Sequence, residues 1–450
     1  MATDPVPRTS RLPAFPPGFL WGVSTSAHQI EGAATEREPS VWDRFSAEPG
    51  RIKDGSTAAV ACDHYHRYRE DVALLAGLGV DAYRFSVSWP RVNSPGGLDF
   101  YDRLVDELCA AGVRPVVTLF HWDLPLGLDW LERETAERFA RYVSLVAERL
   151  GDRVRTWITL NEPAEHTLLG HALGVHAPGR QLMFDALPVA HHQLLAHGLA
   201  VRALRAAGAT DIGIANSHGP TWPASPEPAD TEAAGLYDLL LNRLFADPVL
   251  LGRYPEGLGD LMPGDTGDVE ADLEVISEPV DWYGVNYYAP TRVGAPQGTD
   301  TAFGGVTLPA GLPFTVRRIE GVPVTDSGWP VVPEGLTELL TAFRDRYGER
   351  LPPVVVTENG CSGDGLDDRA RIAYLDGHIR ALHRALQAGV DVRGYFVWSL
   401  LDNFEWAEGY ARRFGLVHVD FTTRRRTPKA SYRWYRDQLR AQRQAAGRTG

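Results

Sequence analysis

Eight apolar runs rich in β-branched and aromatic residues, "FLWGVS", "DAYRFSVSW", "RPVVTLFHW", "TWITLNEP", "DIGIANS", "DWYGVNYY", "PPVVVTENG" and "RGYFVWSLL", recur along the chain and constrain its fold more than any other feature. Each has the length and composition of a strand. Between them lie segments with helical spacing, such as "DHYHRYREDVALLAGLG", "GLDFYDRLVDELCAAG", "ETAERFARYVSLVAERLG" and "DDRARIAYLDGHIRALHRALQAG". Several close on a glycine suited to a left-handed helix end. Strands that alternate with helices pair in parallel, and runs this apolar must be covered on both faces. Eight such units predict an α/β protein built as a single (β/α)8 TIM barrel, with an open doubly wound sheet as the alternative. No composition shift marks a domain boundary in the 450 residues. The barrel domain is therefore expected over 15–440, with 1–14 and 441–450 as flexible termini. The stretch 289–328, rich in Gly, Pro and Thr, is long for a connection and reads as a lid or mobile loop.

A formal charge of −13 and a pI near 5.6 argue against a nucleic-acid or anionic-membrane partner. Only "TTRRRTPK" is basic, and it is short. No run approaches the ~18 apolar residues of a membrane span, and the first residues lack a charged start followed by an apolar segment. Cys62, Cys109 and Cys361 are far apart and outside any C-x-x-C spacing, which fits reduced thiols in a cytoplasmic compartment. The composition thus predicts a soluble cytoplasmic protein and leaves its oligomeric state open.

Two of the strand-like runs stop in a glutamate, Glu162 in "TLNEP" and Glu358 in "TENG", although an ionised carboxylate is costly to bury without a partner. In a barrel such strand ends share the C-terminal face, where catalytic groups gather. The other ends carry Gln29, Arg84, His121 and Trp122, Asn161, Asn286 and Tyr288, and Trp398. There is no P-loop, no Gly-rich dinucleotide turn and no G-x-S-x-G elbow, so a carboxylate pair points to acid/base or carboxylate-nucleophile chemistry. Glycoside hydrolysis requires such a pair. Tryptophans and amides suit a sugar, which offers an apolar face and many hydroxyls. The His-rich pieces "DHYH" and "AHHQLLAH" suggest a metal, but helix capping and core hydrogen bonds account for them, so no metal and no cofactor are predicted.

"FLWGVSTSAHQIEGA", "RFSVSWPR", "HWDLP", "TLNEP", "GVNYY", "TENG" and "WSLLDNFEWAEGYARRFGL", in this order, closely resemble the motifs of glycoside hydrolase family 1, the β-glucosidase family, from about Phe15 to about Tyr435. The resemblance implies a retaining β-glycosidase that removes terminal β-D-glucosyl residues, with β-galactosidase or β-fucosidase side activity. It implies Glu162 as acid/base, Glu358 as nucleophile, and Arg84 and Tyr288 as the groups that keep Glu358 ionised. Gln29, His121, Trp122, Asn161, Asn286, Glu405 and Trp406 would bind the sugar over Trp398, and Trp329 would carry the aglycone. Trp42, Trp157 and Trp434 are expected to pack the barrel. An acid at Glu405 argues for an unphosphorylated sugar, and Glu162 for an O-glycoside. The loops "EGAATEREPSVWD", "PRVNSPGGLDF", "DLPLGLDWLERE" and "ENGCSGDGLDDRAR" look shorter than the family's by a few residues. The mouth is therefore expected to be wide near Arg37, Pro95, Asp129 and Asp364, open to oligosaccharides or bulky natural-product glycosides.

Overall fold

The computed structural model describes residues 11–258, 266–303 and 306–446. All eight apolar runs form strands: β1 (Leu20–Ser24), β2 (Ala82–Ser86), β3 (Arg114–Thr118), β4 (Thr156–Asn161), β5 (Asp211–Ser217), β6 (Trp282–Asn286), β7 (Val354–Asn359) and β8 (Val392–Trp398). Each pairs in parallel with its sequence neighbours and β8 returns to β1, with Ser24 opposite Trp398, so the sheet closes into the predicted barrel. The alternative of an open sheet is excluded.

The floor of the barrel is filled by Leu20, Ala82, Val116, Ile158, Ala215, Trp282, Val355 and Phe396. The two large rings are accommodated by glycines on neighbouring strands. A Cβ at Gly213 would lie 2.6 Å from the Trp282 ring, and one at Gly22 would lie 2.3 Å from Phe396. This apolar plug makes the strands' C-terminal ends the one open side of the barrel interior.

Helices cover the outside through apolar stripes. Glu134–Leu150 buries Phe139, Tyr142, Val143, Val146 and Leu150 at helical spacing. Gly79 and Gly389 follow their helices in left-handed conformation, as the sequence suggests, whereas Gly151 stays right-handed. At the rim, the buried Arg371 guanidinium pairs with Asp368 and donates to the carbonyls of Cys361, Gly363, Arg413 and Phe414. It thereby ties the loop after β7 to the loop after β8.

The register of the barrel is broken in two places that matter. β4 shifts against β5 between Ile158 and Asn161, and β7 shifts against β6 between Val356 and Glu358. These are the strands that carry the two carboxylates, and an irregularity at a barrel rim re-aims the side chains beyond it.

The stretch 289–328 contradicts the expectation of a lid or mobile loop. Thr291–Gly294 pairs with Thr315–Arg317 and with Thr221–Pro223 in a three-stranded sheet, and Thr301–Phe303 pairs with Val306–Leu308. Val293, Leu308, Leu312, Phe314 and Val316 pack with Leu173, Ala233 and Ala234 into a separate apolar cluster. The segment is a wall with its own small core. Of the termini expected to be flexible, 1–10 and 447–450 lie outside the described residues. The backbone N–H groups of Leu12 and Phe15 donate to the amides of Gln438 and Gln442 on the last helix, Ala430–Ala446. Among the described residues no helix is long and apolar enough to cross a membrane.

Candidate active site

Glu162 stands immediately after β4 and heads the short helix Pro163–Glu165. Its backbone is left-handed at φ 45°, its N–H donates to Ala215 and its carbonyl accepts from His166. Trp122 and Trp406, also in this site, are left-handed at φ 77° and 50°. Such conformations cost on the order of 1–3 kcal/mol each in non-glycine residues and persist where the surroundings enforce them. Three of them around one cavity mark a place where side-chain direction outweighs backbone comfort.

The two carboxylates differ in their donors. Glu358 accepts from Arg84 Nη1 at 2.5 Å on one oxygen and from the Tyr288 hydroxyl at 2.7 Å on the other. Arg84 is itself fixed by the Thr357 carbonyl, Thr118 Oγ1 and Asn161 Oδ1. Among the described residues Glu162 receives only the amide of Asn286, at 2.8 Å. Burial raises the proton affinity of both, but at Glu358 it is opposed by Arg84, Tyr288 and Asn286. At Glu162 burial is reinforced by the charges of Glu358 and Glu165, which carries it well above the usual carboxylate range. When the pair holds one proton, that proton sits on Glu162. Burial and the two carboxylates keep the Tyr288 hydroxyl far above its ordinary value, so it remains a donor.

Asn161 Oδ1 accepts from both Arg84 and Asn286, which orients its amide, and Nδ2 then donates to His121 Nε2 at 3.0 Å. His121 is held neutral by burial and by Arg84, and with Nε2 accepting, its proton lies on Nδ1. That atom is buried and has no partner among the described residues.

Beside His121 the indoles form a continuous aromatic surface. Trp398 stacks on His121 at 5.8 Å, and Trp406 lies 5.9 Å from His121 and 4.6 Å from Trp122. Trp42, expected to pack the barrel, is fully buried behind Trp406 at 4.6 Å and thus backs the site. Trp122 spends its N–H on the Asn161 carbonyl. Glu405 follows Phe404 in the loop after β8, and burial together with the charges of Glu358 and Glu408 pushes it up to about 8. Gln29 donates to Asn403, to the Phe404 carbonyl and, at 3.4 Å, to Glu405.

A cavity of about 290 Å³ opens over these groups. Its inner part is lined by His121, Trp122, Glu162, Tyr288, Glu358, Trp398, Glu405 and Trp406, and its outer part by Leu168, Leu169, Tyr237, Leu308, Leu312, Phe314, Trp329 and Phe414. Trp329 packs edge-on to Tyr288 at 5.4 Å, which couples the two parts. Arg84, Gln29, Asn161 and Asn286 are essentially fully buried and hydrogen-bond to side chains of the cavity wall. Of the four loops that read as short, only the one after β7 reaches this cavity, at its first residue, Glu358. Arg37, Pro95, Asp129 and Asp364, near which the sequence suggests a wide mouth, are not among the residues that line it.

Sequence reasoning missed two contributors. Glu165 lines the cavity one helical step beyond Glu162, and its acidic i, i+3 spacing in "NEPAEH" was a usable signal. Apart from Trp329, the apolar outer wall was hidden because its residues come from four separate segments. The His-rich pieces are committed elsewhere: His64 to Asp71, His191 to Tyr254 and Asp272, His192 to the Trp130 carbonyl, and His197 to Thr159. Among the described residues no group of His, Cys, Asp and Glu is arranged to hold a metal ion.

The family model described as glycosyl hydrolase family 1 matches residues 12–444. The thermostable β-glucosidase B of Thermobispora bispora is 47% identical over 95% of this chain and 91% of its own. A bifunctional β-D-glucosidase/β-D-fucosidase of Bifidobacterium breve is 43% identical over 94% of this chain and 97% of its own. The crystal structure of a psychrophilic β-glucosidase from Micrococcus antarcticus superposes with a TM-score of 0.89 at 45% identity, covering 95% and 98% of the two chains.

Proposed function

The chain belongs to glycosyl hydrolase family 1 and is a retaining β-glucosidase, and from that premise we propose that Glu358 is its nucleophile and Glu162 its general acid and base. The observation that carries the assignment is the uneven supply of donors. Arg84 and Tyr288 oppose the rise in proton affinity that burial imposes on Glu358, while Glu162 is left with one amide donor and two repelling carboxylates.

In the first step a Glu358 oxygen bonds to the anomeric carbon as the bond to the aglycone oxygen breaks, and Glu162 gives its proton to that oxygen. Esterified Glu358 no longer repels a charge on Glu162, so Glu162 becomes a base. It takes a proton from water as the water oxygen bonds to the anomeric carbon and Glu358 leaves. Two inversions return the β-configuration. The sugar rests on Trp398, with His121 Nδ1 donating to a hydroxyl and Glu405 accepting from others. Gln29 positions Glu405, and Asn286 stands beside the 2-hydroxyl.

The apolar outer wall and Trp329 favour β-glucosides with an apolar aglycone, natural-product glycosides among them. β-Fucoside turnover beside β-glucoside turnover fits the glucosidase/fucosidase named among its relatives. Cys62, Cys109 and Cys361 are free thiols, which supports a cytoplasmic location. The decisive experiment is Glu358→Ala with a dinitrophenyl β-glucoside and azide. Activity should be nearly abolished and then partly restored as α-glucosyl azide; a β-configured azide would reverse the two roles.

A further inference from the structure

Glu405, Trp406, Glu408, Arg412 and Phe414 all reach the cavity from one loop, 399–416, between β8 and the hairpin that pairs Val417–Val419 with Arg426–Pro428. Its one helical turn, Trp406–Glu408, is three residues long, so the loop's shape depends on how its ends are held. The ends meet at Asp402. Its N–H donates to the Val417 carbonyl, and its carboxylate accepts from the Gly415 N–H at 3.0 Å and from Arg413 Nη1 at 3.1 Å. A Cβ on Gly415 would lie 2.0 Å from the Asp402 nitrogen, so the two ends touch. A further donor is Lys429 Nζ at 2.7 Å, from the residue that precedes the last helix, and both side chains are fully buried. Among the described residues Lys429 pairs with no other carboxylate. Next to Asp402, Asn403 donates to Ser399 Oγ and the Leu401 carbonyl and accepts from Gln29, which also donates to Glu405.

We propose that Asp402 and Lys429 are positioning residues for the sugar subsite: they close the loop at its base and thereby fix Glu405 and Trp406 against His121 and Trp398. The proposal rests on the reading in which Glu405 accepts from sugar hydroxyls, and deepens it. A buried ion pair adds little net stability over apolar residues of the same volume. What it adds is direction. One carboxylate accepts charge-assisted bonds from Arg413 on the returning arm of the loop and from Lys429 at the last helix, whereas an apolar contact orients neither. A tilt of the loop would move Glu405 and Trp406 together. Glu358 would stay in place, because Arg84 and Tyr288 hold it from other parts of the barrel.

The test compares kcat/KM for nitrophenyl β-D-glucoside and β-D-fucoside, which differ at C4 and C6, in the unmodified enzyme and in Glu405→Gln, Lys429→Met and the double variant Asp402→Asn/Lys429→Met. The double variant removes both charges, whereas Lys429→Met alone leaves a buried carboxylate short of a cation. Glu405→Gln should lower the glucoside-to-fucoside ratio about tenfold, the scale of a hydrogen bond to a charged group, and the Lys429 variants about fivefold or more. The acidic limb of their pH profile should stay where it is, Lys429→Arg should restore the ratio, and adding Lys429→Met to Glu405→Gln should lower it no further. Asp247→Asn, which unpairs Arg346 on the outer helices away from the cavity lining, should destabilise the fold and leave the ratio unchanged. Lys429 variants that keep the ratio while Glu405→Gln lowers it overturn the proposal alone; a ratio that Glu405→Gln also leaves unchanged overturns it together with the role of Glu405. If neither Lys429 variant folds, hydrogen exchange of the unmodified enzyme decides: the Gly415 amide should exchange as slowly as those of β8, and exchange at the rate of an open loop overturns the proposal.

Discussion

Tyr288→Phe removes one oxygen from the site and nothing else. In the structure that hydroxyl lies 2.7 Å from Glu358 Oε2 and is the donor to that oxygen, while Arg84 serves Oε1. The ring keeps its place, since it packs on Trp329 and Phe414 and its backbone carbonyl accepts from Tyr374. A hydrogen bond to a charged group contributes roughly 1.5–3 kcal/mol, and one pKa unit corresponds to about 1.4 kcal/mol. Losing it should raise the pKa of Glu358 by about one to two units. Because Glu358 attacks as a carboxylate, the acidic limb of kcat/KM against pH moves to higher pH by that amount. At a pH below the new limb the rate falls about ten- to a hundredfold. The free-enzyme profile is the proper readout, as kcat/KM reports the titration of unliganded groups, and its apparent values belong to the coupled pair. A lower rate with the acidic limb unmoved would refute the view that Tyr288 sustains the charge on Glu358.

Glu162→Ala should slow alkyl glucosides by roughly 10²–10⁴-fold and dinitrophenyl glucosides far less, because a good leaving group needs little protonation; equal losses would remove Glu162 from the acid role. Glu165→Gln deletes a charge that raises the proton affinity of Glu162, so the basic limb of the profile should move to lower pH, and a shift to higher pH would contradict the electrostatics described. Trp329→Ala should weaken kcat/KM for flavonoid or steroid glucosides about tenfold more than for cellobiose, from the apolar area an aromatic aglycone loses at about 25 cal/mol per Å²; a uniform loss would place Trp329 outside the aglycone site. Arg371→Met leaves the Asp368 carboxylate buried without its cation, for which a destabilisation of about 3–5 kcal/mol is expected in urea unfolding; an unchanged midpoint would show that the rim does not depend on this residue.

The barrel was legible because all eight strands are covered on both faces, which leaves uninterrupted apolar runs that no loop segment imitates. The motifs name the proposed site residues, but not the hydrogen bonds that hold each of them. Gln29 and Asn286 read as sugar ligands, and the structure adds that both are buried and donate to Glu405 and Glu162. Spacing along the chain gives the strand end and not the depth, which is set by register shifts such as that between Ile158 and Asn161. The wall 289–328 was misread for a different reason. Its strands are three or four residues long and one partner, Thr221–Pro223, lies some 70 residues away in sequence, so neither alternation nor a turn signal announces the sheet.

Asn161 explains why the two carboxylates need no separate tuning. Its single Oδ1 accepts from Arg84, which charges Glu358, and from Asn286, which is the donor to Glu162. Its Nδ2 fixes the tautomer of His121 in the sugar site. A displacement of this one amide would therefore disturb nucleophile, acid and sugar contact together. That makes the end of β4 the place where the geometry must be rigid, and the structure supplies the rigidity locally: the Asn161 N–H is bonded to the Phe120 carbonyl, its carbonyl is held by the Trp122 indole, and the next residue is anchored to Ala215 in a left-handed turn. The strain at Glu162 follows from this demand. The chain must leave β4 with Asn161 facing inward to Arg84 and must still bring the following side chain into the same cavity, whereas successive residues of a regular strand point to opposite faces. A register shift before Asn161 and a left-handed residue after it together reconcile the two requirements, so the backbone irregularity of β4 is the structural condition for placing an orienting amide and an acid side by side.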